Sequence, residues 1–311
     1  MGKKIACLGS FILELTSRVD RLPLPGESLL SDNFKLGQGG KGSNQAVAVK
    51  RAGGDIVMMA KIGTDLLSKL AWDHFEKEGF NKKYIVTDDK HATGVAMIIV
   101  DKKTAQNSIV VITGACEQLT DADIELFRPE IESSDIFLTQ LEANVDAVEK
   151  AVQIAWENKK IIVFNTAPAR ELSDDLLSKI SIITPNEVEA FMLTKVEVTD
   201  KSSAEKAARI FFNKGIPYVI ITLGEKGCFV YDGKNSEIID SIKVQSVDTT
   251  GAGDAFNGAL VTALSEDMPI SKAVKFATAA AALSTTKHGT AVAMPYRSEI
   301  DSLVKKTYGN F

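Results

Sequence analysis

The chain has 311 residues, with 36 Lys plus Arg against 41 Asp plus Glu and a formal charge of −5. That mildly acidic balance excludes a protein that lives along a nucleic-acid backbone, which needs a strong basic field. The 45% hydrophobic and 25% charged content excludes disorder, collagen and coiled coil. A chain of this length buries about 75% of its unfolded surface and needs neither disulfides nor metal to fold. Cys7, Cys116 and Cys228 are scattered and odd in number, so they are expected as free thiols of a reducing cytosol. His74, His91 and His288 have no ligand-like spacing, which argues against a zinc site.

In chain order, Lys3 and Lys4 precede apolar Ile5–Leu8 and Phe11–Leu15, but Glu14 and Arg18 interrupt the run and no small-residue cleavage site follows. A first β-strand is expected there rather than a signal peptide. Leu13–Leu36, with Pro23, Pro25 and Gly26, is a region of short extended runs. Short apolar or β-branched runs then recur at Ile56–Ala60, Ile136–Thr139, Ile161–Phe164, Ile182–Thr184 and Val219–Thr222, as buried parallel strands do. Amphipathic stretches Leu66–Glu78, Val145–Glu157 and Ala204–Asn213 alternate with them. Gly94–Asp101 and Ser108–Thr113, joined by polar Lys102–Asn107, form a hairpin pattern, and Gly251–Ser265 and Ile270–Thr286 are Ala-rich and helical. The expectation is a single α/β domain over 1–311, a three-layer α/β/α sandwich around a mostly parallel sheet. About 11–37 and 94–113 are expected to add a small β-sheet lid; edge hairpins on the main sheet are the alternative. No stretch reaches the ~18 apolar residues of a membrane span, and a soluble cytoplasmic protein with no nucleic-acid or membrane partner is expected.

Several segments carry candidate chemistry. Gly37-Gln38-Gly39-Gly40-Lys41-Gly42 matches G-x-G-x-x-G, but only the poor strand Phe34–Leu36 precedes it and no acidic residue ends the next strand, so a dinucleotide fingerprint fails. What remains is a glycine loop entering the helix Ser43–Arg51, able to hold an anion or a polyhydroxy ligand; a plain tight turn explains the glycines equally well. In Asp248-Thr-Thr-Gly-Ala-Gly-Asp254, the amides of Gly251, Ala252 and Gly253 open a long helix and can converge on charge developing at a transferring phosphoryl group. Asp254 in the first turn can take a proton from an attacking hydroxyl. Asn186 with Glu189 is a capping-box pattern that could also hold Mg²⁺ waters. Thr222, Gly224 and Gly227 form either a bare turn or a phosphate-facing loop, and Glu142 follows a strand end where ligands of open α/β sheets bind or where a solvated surface lies.

Together these stretches resemble the ribokinase-like carbohydrate kinase family of the phosphofructokinase-B type, and within it the ribokinase branch. The matching pieces run almost end to end: Gly39–Ala46, Asn165–Leu172, Thr184–Glu187, Thr222–Gly224 and Asp248–Gly258. The resemblance implies an ATP-dependent kinase acting on a primary hydroxyl of a small sugar, ribose-like or a deoxypentose. It implies Asp254 as the catalytic base and Gly251, Ala252 and Gly253 as the anion hole. Sugar hydroxyls would be held by Glu14, Gly40, Lys41, Asn44 and Glu142. Asn186, Thr222, Gly224, Gly227 and Thr278 would line the nucleotide site, with Glu189 positioning Mg²⁺ through water. An activating monovalent cation, K⁺, is implied at Asp248, Thr250, Ser284, Lys287 and Gly289, largely through backbone carbonyls.

The chain departs from the family where the sugar is chosen. Ribokinases typically read Gly-Ser-x-Asn-x-Asp, whereas this chain reads Gly9-Ser10-Phe11-Ile12-Leu13-Glu14. Ile12 removes a polar partner and Glu14 keeps the carboxylate on a longer arm. An unpaired buried hydroxyl costs about 1–3 kcal/mol, so a ligand with a polar group facing Ile12 is expected to bind poorly. Gly114-Ala115-Cys116 stands for the usual Gly-Ala-Asn, Thr278 for a His or Asn, and Ala293 for a Ser of the last cation-site stretch. Alternatives from the same sequence are a nucleoside kinase of the superfamily and a non-catalytic sugar sensor. A homodimer through the lid is also expected, since an exposed sheet edge is a template for association.

Overall fold

The computed structural model describes residues 2–31, 33–103 and 107–309, so the middle of the turn expected at Lys102–Asn107 lies outside them. Strands β1 (Lys4–Leu8), β4 (Asp55–Gly63), β5 (Ile85–Asp88), β8 (Ile136–Thr139), β9 (Ile161–Phe164), β10 (Ile182–Ile183), β11 (Tyr218–Thr222), β12 (Cys228–Tyr231) and β13 (Ser236–Ile239) make one sheet in the order β13-β12-β11-β10-β9-β8-β1-β4-β5. It is parallel from β5 to β11 and antiparallel at the β12 and β13 edge. A second, four-stranded sheet is ordered β3-β2-β6-β7, from β2 (Ile12–Val19), β3 (Phe34–Gly39), β6 (Gly94–Asp101) and β7 (Asn107–Ile112). The separate sheet decides against edge hairpins on the main one.

Alternation along β1 sends Ile5 and Cys7 to one face and Ala6 and Leu8 to the other, each fully buried. The Ile5 face is covered by α1 (Lys41–Arg51), α2 (Ser68–Lys77), α8 (Ala252–Ser265), α9 (Ile270–Ser284) and α10 (Arg297–Tyr308). The Leu8 face is covered by α3 (Asp121–Ser133), α4 (Val145–Glu157), α5 (Asp174–Ser178), α6 (Glu187–Thr194) and α7 (Lys201–Asn213). This is the expected α/β/α sandwich. Helix starts differ from the sequence reading: α7 begins at Lys201 because Asp200 caps it, accepting from Ser203 N at 2.8 Å, and α2 begins at Ser68 after a turn in which Asp65 accepts from Leu67 N at 2.7 Å. β3 runs on to Gly39 because it pairs along β2, with Glu14 opposite Gly37 and Ile12 opposite Gly39.

Helix α1 sits close against the loop after β1. A Cβ on Gly42 would lie 2.6 Å from the backbone of Gly9 and Ser10, and Ser43 N donates to Ser10 O at 2.9 Å. Replacing Gly42 by Ala gains about 1 kcal/mol of helix propensity, but the overlap is with backbone and cannot be relieved by a rotamer. Gly42→Ala is therefore expected to lower unfolding free energy by a net of about 2 kcal/mol in urea titration; a stability equal to or above wild type would show that the helix and loop are not tightly apposed.

Candidate active site

Residues that follow the C-terminal ends of the parallel strands gather beside the first turns of α1 and α8, the usual ligand position in an open α/β sheet. There a cavity of about 160 Å³ is lined by Gly40, Lys41, Asn44, Glu142, Thr250, Gly251, Asp254 and Thr290, and by Ile12, Glu14, Ala96, Ile98, Ile109 and Val111 of the small sheet. Every residue expected to hold sugar thus lies on this one cavity. The polar residues form its floor, and the small sheet gives a roof that is apolar except for Glu14.

Asp254 lies in the first turn of α8 and is buried, 6% exposed. Asn44 Nδ2 donates to its Oδ2 and Gln45 Nε2 to its Oδ1, both at 2.9 Å. Burial raises its pKa; Lys41 and the two amides oppose that without cancelling it. Gln45 is itself held, with Gln140 Nε2 donating to its Oε1 at 2.7 Å and its Nε2 lying 3.1 Å from Asn165 Oδ1. Asn44 Oδ1 is buried with no hydrogen-bond partner, an acceptor that a ligand hydroxyl would satisfy.

Glu142 Oε2 accepts from Ser10 Oγ at 2.6 Å and from Lys41 N at 2.7 Å, which fixes the start of α1 against the loop after β8. This places Glu142 in the site, 9% exposed, rather than on solvated surface. Burial pulls the Lys41 pKa down, but Asp254, Glu142, Glu189 and Glu14 outweigh it, so the pKa is raised and the ammonium keeps its charge. On β2, burial drives the Glu14 carboxyl up to about 7; a hydrogen bond from Thr290 opposes this, while Asp254, Asp248 and Glu142 add to it. That bond, Thr290 Oγ1 to Glu14 Oε1, measures 2.9 Å.

Gly251 caps α8 in the left-handed region at φ 80°, a conformation open to glycine at little cost. The expected set of three converging amides needs correction, because Ala252 N donates to Thr249 O at 3.2 Å. Gly251 and Gly253 remain at the open end of the helix, and a Cβ on Gly253 would meet nothing within 4 Å. Asn186 and Glu189 do form a capping box: Asn186 Oδ1 accepts from Glu189 N at 2.8 Å and Glu189 Oε2 from Asn186 N at 3.0 Å. Thr166 Oγ1 also donates to Glu189 Oε2 at 3.0 Å. Asn186 bridges Thr222, beyond which Gly224 and Gly227 bracket a tight turn into β12. Thr278 stands apart from the expected nucleotide residues in its bonding: it is buried and gives its hydroxyl to Val274 O at 2.9 Å within α9.

Asp248 draws together Thr250 N (3.0 Å) and Gly289 N (3.2 Å), two other members of the expected cation site. Ser284 Oγ instead donates to Ala281 O, and Lys287 Nζ pairs with Glu299. Among the described residues there is no group of three or more His, Cys, Asp or Glu placed to hold a metal, and no helix long and apolar enough to cross a membrane. Ser10, Gln45, Gln140, Asn165 and Thr290 meet at the site without having been named as site residues; Ser10, Gln45 and Asn165 lie inside the quoted motif stretches, whereas Gln140 and Thr290 carry no signal in the sequence.

A model of the pfkB family of carbohydrate kinases matches residues 2–297. Ribokinase of Haemophilus influenzae is 45% identical over 299 residues, covering 96% of this chain and 97% of its own length. Deoxyribokinase of Salmonella typhi is 32% identical over 292 residues, covering 94% and 95%. The structure of Arabidopsis thaliana ribokinase complexed with ribose and ATP aligns with a TM-score of 0.88 at 26% identity, covering 98% of this chain and 99% of that one. With a glycine loop, a helix-capping Gly-Ala-Gly and a buried first-turn aspartate around one small cavity, the chain belongs to the pfkB family of carbohydrate kinases.

Proposed function

We propose that this kinase transfers the γ-phosphoryl group of ATP to a primary hydroxyl of a small sugar, ribose-like or a deoxypentose, with the deoxypentose preferred. The observation that carries the reading is the two-sided cavity: Asp254, Asn44, Lys41 and Glu142 below, Ile12, Ala96, Ile98, Ile109 and Val111 above. A sugar presenting all its hydroxyls would leave one facing Ile12 without a partner, whereas a deoxy carbon there loses nothing. The small sheet serves as a lid on a single kinase domain. A nucleoside acceptor is disfavoured by a volume of about 160 Å³, well under the drug-sized pockets of about 300–1,000 Å³. A sensor without turnover gives no reason to hold a buried aspartate at raised basicity.

In this mechanism Asp254 takes the proton from the acceptor hydroxyl as the oxygen attacks in line. Asn44 and Gln45 keep its two oxygens oriented, and Asn44 Oδ1 accepts from a sugar hydroxyl. The amides of Gly251 and Gly253 face the negative charge that develops on the phosphoryl oxygens. Asn186, Thr222, Gly224 and Gly227 line the nucleotide, with Thr278 behind them. Mg²⁺ would neutralise phosphate charge, held through water by Asn186 and Glu189, whose carboxylate already accepts three donors and suits outer-sphere contact. K⁺ would lie where Asp248 gathers Thr250 and Gly289, with the carbonyls of Ser284 and Lys287 completing the set. Three buried free thiols support a reducing, cytoplasmic setting.

The test is ADP release with Mg²⁺ over D-ribose, 2-deoxy-D-ribose, hexoses and nucleosides, with and without K⁺. A pentose is expected to lead, 2-deoxyribose above ribose in kcat/KM; ribose in first place would sink the deoxy preference, and a nucleoside in first place the sugar reading. Asp254→Asn is expected to lower kcat by about 10²–10⁴-fold, and full activity would remove Asp254 as base.

Glu14 has a consequence for stability. Its pKa is about 7 in the folded protein against 4.5 unperturbed, so the folded state binds the extra proton between those values and stability falls as pH rises through that window. Glu14→Gln removes the cost and can keep the Thr290 contact. Without ligand, the variant should gain about 3 kcal/mol over wild type at pH 8 and almost nothing at pH 4.5. Equal denaturation midpoints at pH 8 would place the carboxyl in a more polar setting.

The lid also supports a homodimer, since Val110 and Ile112 of its edge strand β7 and Met97 of the adjoining β6 are each about half exposed. Sedimentation equilibrium should give twice the chain mass, and Val110→Lys should return it to monomer; a wild-type monomer at micromolar concentration rules this association out.

A further inference from the structure

Thr290 touches both the small sheet and the Gly251 loop. Its hydroxyl lies 2.9 Å from Glu14 Oε1 and 3.1 Å from Gln38 O, so it reaches β2 and the adjoining residue of β3 at once. A hydroxyl has a single proton to give, and above pH 7, where Glu14 is ionised, the carboxylate is the stronger acceptor of the two. On its other side Thr290 packs on the anion-loop glycine: a Cβ on Gly251 would lie 3.4 Å from Thr290 Cα and Cβ. Its neighbour Gly289 is tied through its amide to Asp248, which also holds Thr250 N. Thr290 is 3% exposed, so water does not compete for this contact.

The lid strands have made room for the carboxylate it holds. Glu14 pairs with Gly37 and sits diagonal to Gly39 in the β2–β3 register. A Cβ on Gly39 would collide with Glu14 Oε1 and lie 2.7 Å from its Cδ, and one on Gly37 would lie 3.1 Å from Oε2. Neither glycine has a positive φ, so backbone strain does not explain them; the room they leave is filled by the Glu14 side chain. A long, otherwise mobile carboxylate is thereby confined from below by two missing side chains and from the side by one hydroxyl.

We propose that Thr290 is a positioning residue for the sugar: by donating to Glu14 it sets the carboxylate toward the cavity and keeps that part of the lid in register with the Gly251 loop. The proposal rests on the reading of the cavity as a sugar site. Because Thr290 acts through Glu14 in the ground state, its removal should weaken sugar binding and leave the chemical step nearly intact.

The experiment takes whichever sugar of the panel wild type uses best, so that a wrong guess about deoxyribose shows in the wild-type ranking and leaves this test standing. Thr290→Val keeps the shape and deletes the donor. It is expected to raise the sugar KM about tenfold, the usual effect of losing a hydrogen bond to a charged group, with kcat within about threefold and the ATP KM unchanged. Thr290→Ser restores the donor and should return KM to within about twofold of wild type. In a Glu14→Ala background, Thr290→Val should add nothing to KM. An unchanged KM in Thr290→Val, a kcat that falls as far as KM rises, no rescue by Ser, or an undiminished effect in the Glu14→Ala background each overturns the proposal. Thermal midpoints of all four variants accompany the kinetics, and a KM effect that follows lost stability rather than the presence of the hydroxyl also counts against it.

Discussion

The buried carboxylate of Asp254 is the constraint around which the site is built. An ionised carboxylate taken from water without partners costs many kcal/mol, so the fold has to bring donors to it. It does so by packing α1 hard against α8. A Cβ on Gly258 would lie 2.5 Å from Ala48 Cβ and 2.6 Å from Gln45 O; only a glycine there allows the helices to approach so closely. That approach puts Asn44 and Gln45, consecutive residues of α1, within 2.9 Å of the two oxygens of Asp254. The donors are neutral amides. They orient and solvate the carboxylate without the strong pKa depression that a contacting guanidinium would bring, so burial, which raises the Asp254 pKa, is opposed by Lys41 and these amides but not overcome.

The roof obeys a second rule, the two-residue period of strands. Ile12 and Glu14 of β2, Ala96 and Ile98 of β6, and Ile109 and Val111 of β7 all line the cavity, with Ala96 opposite Val111 and Ile98 opposite Ile109. They form one continuous face of the small sheet. Glu14 is the only carboxylate among those roof residues, and that setting, more than any single neighbour, raises its pKa. The same alternation sends Val110 and Ile112 to the outer face, so a sheet of four short strands is apolar on both sides.

The legible parts of this structure are those with local causes. Alternating β and α runs follow from periodicity, and α4 occupies Val145–Glu157 as its pattern indicates because Asn144 caps it with bonds to Asp146 N and Ala147 N. Asp254 and Glu142 stand out because short motifs place carboxylates at strand ends and helix starts. The parts that escaped are long-range: Thr290 meets Glu14 from 276 residues away and Gln140 meets Gln45 from 95, and nothing in either segment announces its partner. The glycines of 37–42 show how one string hides several causes. Gly37 and Gly39 make room for Glu14, Gly40 turns the chain at φ 86°, and Gly42 lets α1 reach the β1 loop. A dinucleotide fingerprint and this loop share letters because both need backbone without side chains, not because they share a ligand.

Charge explains why the site is so economical in cations. Glu14, Glu142 and Asp254 line one small cavity with Lys41, and Glu189 lies within electrostatic reach of that lysine. The ammonium is outnumbered, and its raised pKa shows that its charge is already committed to these carboxylates. It therefore neutralises the carboxylates of the cavity floor and has little to offer a further anion. A further anion approaching the same cavity meets net negative charge, and the helix-start amides at Gly251 and Gly253 are positive groups placed beside it. The cavity thus shares the sign of the chain's overall charge of −5. The start of α8 at Gly251 offsets part of that charge, because a backbone dipole adds positive potential without an ion to desolvate.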